Sequence, residues 1–168
     1  VVAILKVEII RKATQRIANF KNHFKDFEKV EAVKRVFGDN THEALSNLEV
    51  EFTEATIYMK VDWDGRLLIN PHYFAKANLT DLYLDVIHEL VHVNQVITGQ
   101  EFQDELPYVE KPTEIEAYQI AVDEARALGL DEKRILEYLN SDLLNEEELR
   151  QLAVTVGLNI ENEELENN

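Results

Sequence analysis

The sequence predicts an α+β fold in one domain, and three observations carry that reading. Apolar residues recur at helical spacing from Thr80 to Thr98, and a second helical pattern runs from Thr113 to about Leu128. Between Leu48 and Phe52 apolar and acidic residues alternate strictly, as in a half-buried strand. Farther on, Asp62-Trp63-Asp64-Gly65 separates two apolar runs, and Asp-Gly is a strong hairpin turn signal. A chain of 168 residues is long enough to bury a real core. With 45% hydrophobic and 30% charged residues, it has the make-up of a folded soluble protein. The domain is expected to span 1–160, with the acidic, apolar-poor 161–168 as a disordered tail.

The N-terminal region is expected to be a backing helix over 2–36. Ile4, Val7, Ile10, Ile17, Phe20, Phe24 and Phe27 keep a three-to-four spacing, and Gly38-Asp39-Asn40 stops it. This region is basic: residues 1–37 hold nine Lys/Arg against four Asp/Glu, and the remainder holds eight against 29. The expected arrangement is a basic helix docked on an acidic body. Nucleic acid is not an expected partner, because the acidic remainder would repel phosphate and no nucleic-acid motif accompanies the basic residues.

Leu48–Phe52 reads as one strand, and 55–70 as a hairpin turning at Asp62–Gly65 and ended by Asn70-Pro71. In the long helix from Thr80, Thr80 is the expected N-cap and Gly99 the stop. At 100° per residue, Asp81, His88, His92 and Gln95 share one stripe, opposite the core-facing Leu82, Val86, Leu90, Val93 and Ile97. A loop with Pro107 and Pro112 follows. The next helix opens on a capping box of Thr113 and Glu116. Two short helices, Asp131 to Asn140 and Asn145 to Val156, form a closing hairpin, the second with a capping pattern of Asn145 and Glu148.

His88-Glu89-Leu90-Val91-His92 is an H-E-x-x-H motif on the long helix. Two imidazoles four residues apart lie one turn above each other, where a single metal ion can be gripped. The Glu beside the first His then points to where a bound water would sit. A hydrolytic zinc site needs a third protein ligand and an open fourth position. In metzincins the motif continues to a third His; here Gln95 stands in place of the required Gly and Thr98 in place of that His. Peptide deformylase needs a Cys ligand, and the chain has no cysteine. Glu114-Ile115-Glu116-Ala117 matches the E-x-x-A of gluzincins, with Tyr118 where Asp or Asn is common.

Residues 80–120 therefore resemble the gluzincin clan of zinc metallopeptidases, in particular the minigluzincins and the HtpX-like and ImmA/IrrE-like peptidase domains. The resemblance implies a zincin-like fold: N-terminal backing helix, small β-sheet, active-site helix, glutamate helix and C-terminal helical hairpin. It implies Zn²⁺ held by His88, His92 and Glu114, with Glu116 the alternative third ligand. It also implies hydrolysis of a peptide or protein substrate, with Glu89 as general base to the zinc-bound water. Asp85, Glu116 or Tyr118 would support the ligands, and Tyr73, Tyr108 or Tyr118 would donate to the oxyanion. His72 reads as an incidental loop residue. The strand around Leu67–Ile69 is expected to hold an extended substrate by strand addition. The other function class is a zinc-binding regulatory module with a vestigial site. No membrane span or signal segment is read, so the expected location is cytoplasmic; a chain opening on Val1 reads as trimmed or partial. Oligomeric state is left open.

Overall fold

The computed structural model describes residues 5–159 and has an α+β fold. Its elements fall into two compact units, one carrying everything up to Glu101 and the other beginning at Phe102. The first unit contains β1 (Glu8–Ile9), β2 (Ile17–Asn19), α1 (Phe20–His23), β3 (Phe24–Lys25), α2 (Glu31–Phe37) and α3 (Thr41–Asn47). It continues with β4 (Glu49–Phe52), β5 (Met59–Val61), β6 (Leu67–Ile69), α4 (Pro71–Lys76) and α5 (Leu79–Ile97). The second unit holds α6 (Pro112–Ala127), α7 (Glu132–Leu139) and α8 (Glu146–Thr155). The expected tail, 161–168, lies outside the described residues. Among the described residues no helix is long and apolar enough to cross a membrane.

The expected N-terminal helix over 2–36 is not formed as one helix. Its described part is three short strands, the single turn of α1, a 3-10 turn at Phe27–Lys29 and, from Glu31 onward, helix α2. Two local features break the helix. Asn19 accepts from Lys21 N at 3.0 Å and starts a turn there, and Asp26 takes a left-handed conformation with φ 66°. The β-branched Ile17 is instead drawn into a sheet, where β2 pairs antiparallel with β4. The regularly spaced phenylalanines are buried, but in a cluster. Phe20 stacks on Phe24 with centroids 4.6 Å apart, and Phe27 meets both edge-on. Phe74 of α4 joins Phe24 and Phe52, and Tyr83 of α5 joins Phe27. The apolar spacing thus recorded burial without recording helix.

The strand readings at 48–52 and in the hairpin hold. In the four-stranded sheet the order is β2-β4-β6-β5. Leu48, Val50 and Phe52 are buried, and Glu51 on the other face pairs with Arg16 and Arg66. At the hairpin turn Asp62 Oδ1 accepts from Asp64 N and Arg66 N at 3.0 and 2.9 Å. Gly65 there has φ +79°, so the turn needs glycine for its conformation; a Cβ on it would make only ordinary contact with Val96 Cγ1 of α5, at 3.4 Å. The strand expected to receive substrate, Leu67–Ile69, is interior: β6 pairs parallel with β4 and antiparallel with β5. The edge strand beside α5 is β5.

Helix α4, expected as loop, is specified by Asn70-Pro71. Asn70 Oδ1 accepts from His72 N and Tyr73 N, and Pro71 occupies the first turn. Arg11 closes its far end, donating to the Phe74 and Ala77 carbonyls at 2.8 and 2.6 Å. The cap of α5 is Asn78 rather than Thr80: its Oδ1 accepts from Thr80 N at 2.9 Å and Asp81 N at 3.4 Å. In the second unit α6 begins at Pro112 with no side-chain cap, so the Thr113/Glu116 box is not formed. The Asn145/Glu148 box is present at α8.

Replacing fully buried Phe24 by Ala is expected to cost about 3–5 kcal/mol, seen as a lower urea midpoint at unchanged slope. Arg16 and then Arg66 hold the Glu51 carboxylate below its usual range. Its contribution is therefore complete above the unfolded-state carboxylate pKa and is lost as pH falls through the lower folded value. Glu51→Gln should reduce stability at pH 7, with the gap to the parent chain closing on acidification in urea titrations from pH 7 to pH 2.

Candidate metal centre

Helix α5 is buried around most of its circumference: Leu82, Leu84, Val86, Ile87, Leu90, Val91 and Val93 are all core residues. The stripe carrying the histidines is buried as well, which corrects the expectation of a polar face set apart from the core. His88 is 6% exposed, Glu89 8%, His92 8% and Gln95 1%. An imidazole or carboxylate placed there must be satisfied by specific partners, because burial without them is costly.

Among the described residues, one group of His, Asp and Glu side chains has the spacing to hold a metal ion. It consists of His88, His92 and Glu114, whose ligand atoms lie within 4.8 Å of one another. The two Nε2 atoms are 3.1 Å apart. Ligands arranged tetrahedrally about a zinc ion at roughly 2.0–2.1 Å sit about 3.4 Å from one another, so the imidazole pair fits such a centre with little movement. Two imidazole nitrogens and a carboxylate oxygen form a donor set that takes a divalent metal, and the residues fit the group the sequence implied.

The two glutamates of α6 are placed differently. Glu114 joins the group, whereas Glu116 is exposed. Tyr108 supports Glu114 through a side-chain hydrogen bond, and its hydroxyl lies 3.1 Å from that of Tyr118. Burial first, then Tyr118 and Glu114, raises the Tyr108 pKa far above the usual phenol range, so it is a neutral hydroxyl donor throughout the physiological range. Tyr108 thus touches both Glu114 and Tyr118. That arrangement was legible only as three unranked tyrosines.

Tyr73 sits on α4 and donates to Asp85, one of the residues expected to steady the histidines. Burial and then Asp85 raise its pKa well above normal, with smaller contributions from Asp81 and Glu89. Tyr73 is therefore close enough to feel the Glu89 charge. His72 is on the exposed side of α4, 3.3 Å from Glu54, away from this chemistry. The partner of His92 is Gln95, whose Oε1 is 2.7 Å from Nδ1. It had been placed on the histidine stripe but given no role. The available signal was its position one turn beyond the second histidine of the motif.

Titrating zinc into the metal-stripped chain should give one tight site. His88→Ala, His92→Ala and Glu114→Ala should each weaken it by orders of magnitude, and Glu116→Ala should leave it unchanged. Chelation should lower the melting temperature of the parent chain, since a ligand at 100 times its Kd contributes about 2.7 kcal/mol to the folded state.

Comparison with family models, with curated proteins and with solved structures finds no match for this chain.

Proposed function

We propose that the chain is a zinc-dependent peptidase that cleaves peptide bonds by water attack, with Glu89 as general base. The observation that carries this reading is the grouping of His88, His92 and Glu114 around a buried H-E-x-x-H turn. Two imidazoles and one carboxylate leave a fourth position open, which is the donor set of hydrolytic zinc centres. Zinc held there lowers the pKa of water and polarises a carbonyl.

The remaining work falls to the chain. Glu89 is adjacent to His88 in a site shielded from bulk solvent. Its carboxylate takes a proton as the water oxygen bonds to the carbonyl carbon. It then returns the proton to the departing amine as the C–N bond breaks, giving a carboxylic acid and an amine. A donor to the developing oxyanion would come from Tyr73, Tyr108 or Tyr118, and Tyr73 and Tyr108 would first have to release Asp85 and Glu114. For substrate, β5 is the sheet edge running beside α5, and its backbone groups suit an extended peptide laid along it. The partner is accordingly a peptide or unfolded protein segment, with neither nucleic acid nor a membrane required.

Glu89→Gln keeps the shape of the side chain and removes its basicity. It should bind zinc with parental affinity while kcat/KM on a peptide library falls about 10²–10⁴-fold. A zinc-loaded parent chain inert toward that library would refute the peptidase reading in favour of a zinc-binding regulatory module.

A further inference from the structure

The contact between Gln95 and His92 says more than that a buried imidazole is satisfied. Gln95 Oε1 is an acceptor with no hydrogen to give, so the proton shared across 2.7 Å belongs to His92 Nδ1. A neutral ring protonated at Nδ1 carries its lone pair on Nε2, the atom that faces His88 Nε2 at 3.1 Å. The opposite amide orientation would present an NH₂ to Nδ1. That would move the ring proton to Nε2 and block the atom that must meet a metal. The orientation of one amide therefore separates a metal-accepting His92 from a metal-refusing one.

We propose that Gln95 is a positioning residue that holds His92 in its metal-accepting tautomer. The inference rests on reading His88, His92 and Glu114 as a metal centre, and goes beyond it by assigning a role to a residue outside the ligand set. The backbone is built to keep Gln95 in place. It lies in the last turn of α5, where fraying would be expected, yet that turn is closed. Gln100 N donates to the Gln95 carbonyl at 2.9 Å and Gly99 N to the Val96 carbonyl at 3.1 Å. These are the paired bonds of a helix end capped by a left-handed residue, and Gly99 supplies it with φ +69°. Thr98 Oγ1 adds donations to the Asn94 and Gln95 carbonyls at 2.8 and 3.3 Å. Gln95 itself is 1% exposed, so water does not compete for its amide.

Gln is also a particular choice. Ring N–H groups of metal-bound histidines commonly meet a carboxylate, a carbonyl or water. A carboxylate can only accept and would hold the same tautomer more strongly. An amide holds it without adding a buried negative charge to a site that already contains Glu89 and Glu114.

The experiment uses the full chain, metal-stripped and then titrated with zinc. Histidine ring nitrogens are read by ¹⁵N NMR before metal is added, and zinc affinity is read by competition with a chromophoric chelator. In the parent chain His92 should show a protonated Nδ1 and an unprotonated Nε2. Gln95→Met removes the acceptor at similar volume. It should mix the His92 tautomers and weaken zinc about 10–100-fold, the usual effect of losing such a partner. Gln95→Glu should keep the parental tautomer and bind zinc at least as tightly as the parent. A His92 protonated at Nε2 in the parent chain, or parental zinc affinity in Gln95→Met, would overturn the proposal. So would a Gln95→Glu chain as weak as Gln95→Met. Should Gln95→Met fail to fold, the parental NMR spectrum and the Gln95→Glu titration still decide. A parent chain that binds no zinc would defeat the metal-centre reading itself, a result distinct from normal binding that is indifferent to residue 95.

Discussion

Placing two imidazoles and a carboxylate on one buried turn of α5 is the constraint to which the first unit answers. Polar groups removed from water must find partners or destabilise the fold by several kcal/mol. Here His92 finds Gln95, and the two Nε2 atoms find one another. The helix that carries them is pinned at both ends, by Asn78 at the start and by the Gly99 turn at the finish. Its apolar residues are seated against β5 and α2, and the phenylalanine cluster reaches it through Tyr83. Much of the 5–101 unit is thus devoted to holding one helix still, which is what a site needing ligand atoms within tenths of an ångström requires.

The parts of this arrangement legible in the sequence are those set by short-range chemistry. The H-E-x-x-H turn, the Asp-Gly hairpin and the Asn145/Glu148 box depend on residues at most four apart, and each is in place. Glu114 was distinguishable from Glu116 by motif position, and the geometry agrees. The N-terminal region shows where such reading ends. Apolar residues three or four apart satisfy a helix, but they equally satisfy an aromatic cluster assembled from a turn and two strands. The choice was made by pairing β2 with β4, some 30 residues away in sequence. The same limit applies to the sheet: strand β6 was recognisable, but its interior position follows from a parallel pairing with β4 that no local pattern announces.

Two asparagines were under-read for a different reason. Asn70 and Asn78 both lie one residue before a helix, where Asn is among the best caps, yet Pro71 and Thr80 drew the boundaries elsewhere. The consequence reaches the site. With Asn70 as a cap, Tyr73 falls on a helix rather than a loop, and its hydroxyl can be fixed on Asp85 beside the Glu89 charge. A one-residue decision about capping therefore separates a tyrosine on a loop from one held against α5.

Charge gives the ligand set its balance. Glu114 and Glu89 bring two negative charges to the neighbourhood of a divalent ion, and the two histidines must be neutral to offer lone pairs. With a divalent ion bound, two ionised carboxylates and two neutral imidazoles would sum to near zero charge, which would couple occupancy to stability. Neutral partners around this set, the Gln95 amide and the Tyr108 hydroxyl, steady the ligands without shifting that balance. A carboxylate in place of the Gln95 amide would bind metal more tightly but would donate more charge to it, weakening its pull on a carbonyl. A shell built from an amide and a phenol suits a centre that must polarise a substrate, whereas a purely structural metal site gains most from the strongest available donors. The neutral partners of His92 and Glu114 thus support the hydrolysis proposed above, on grounds independent of the H-E-x-x-H motif.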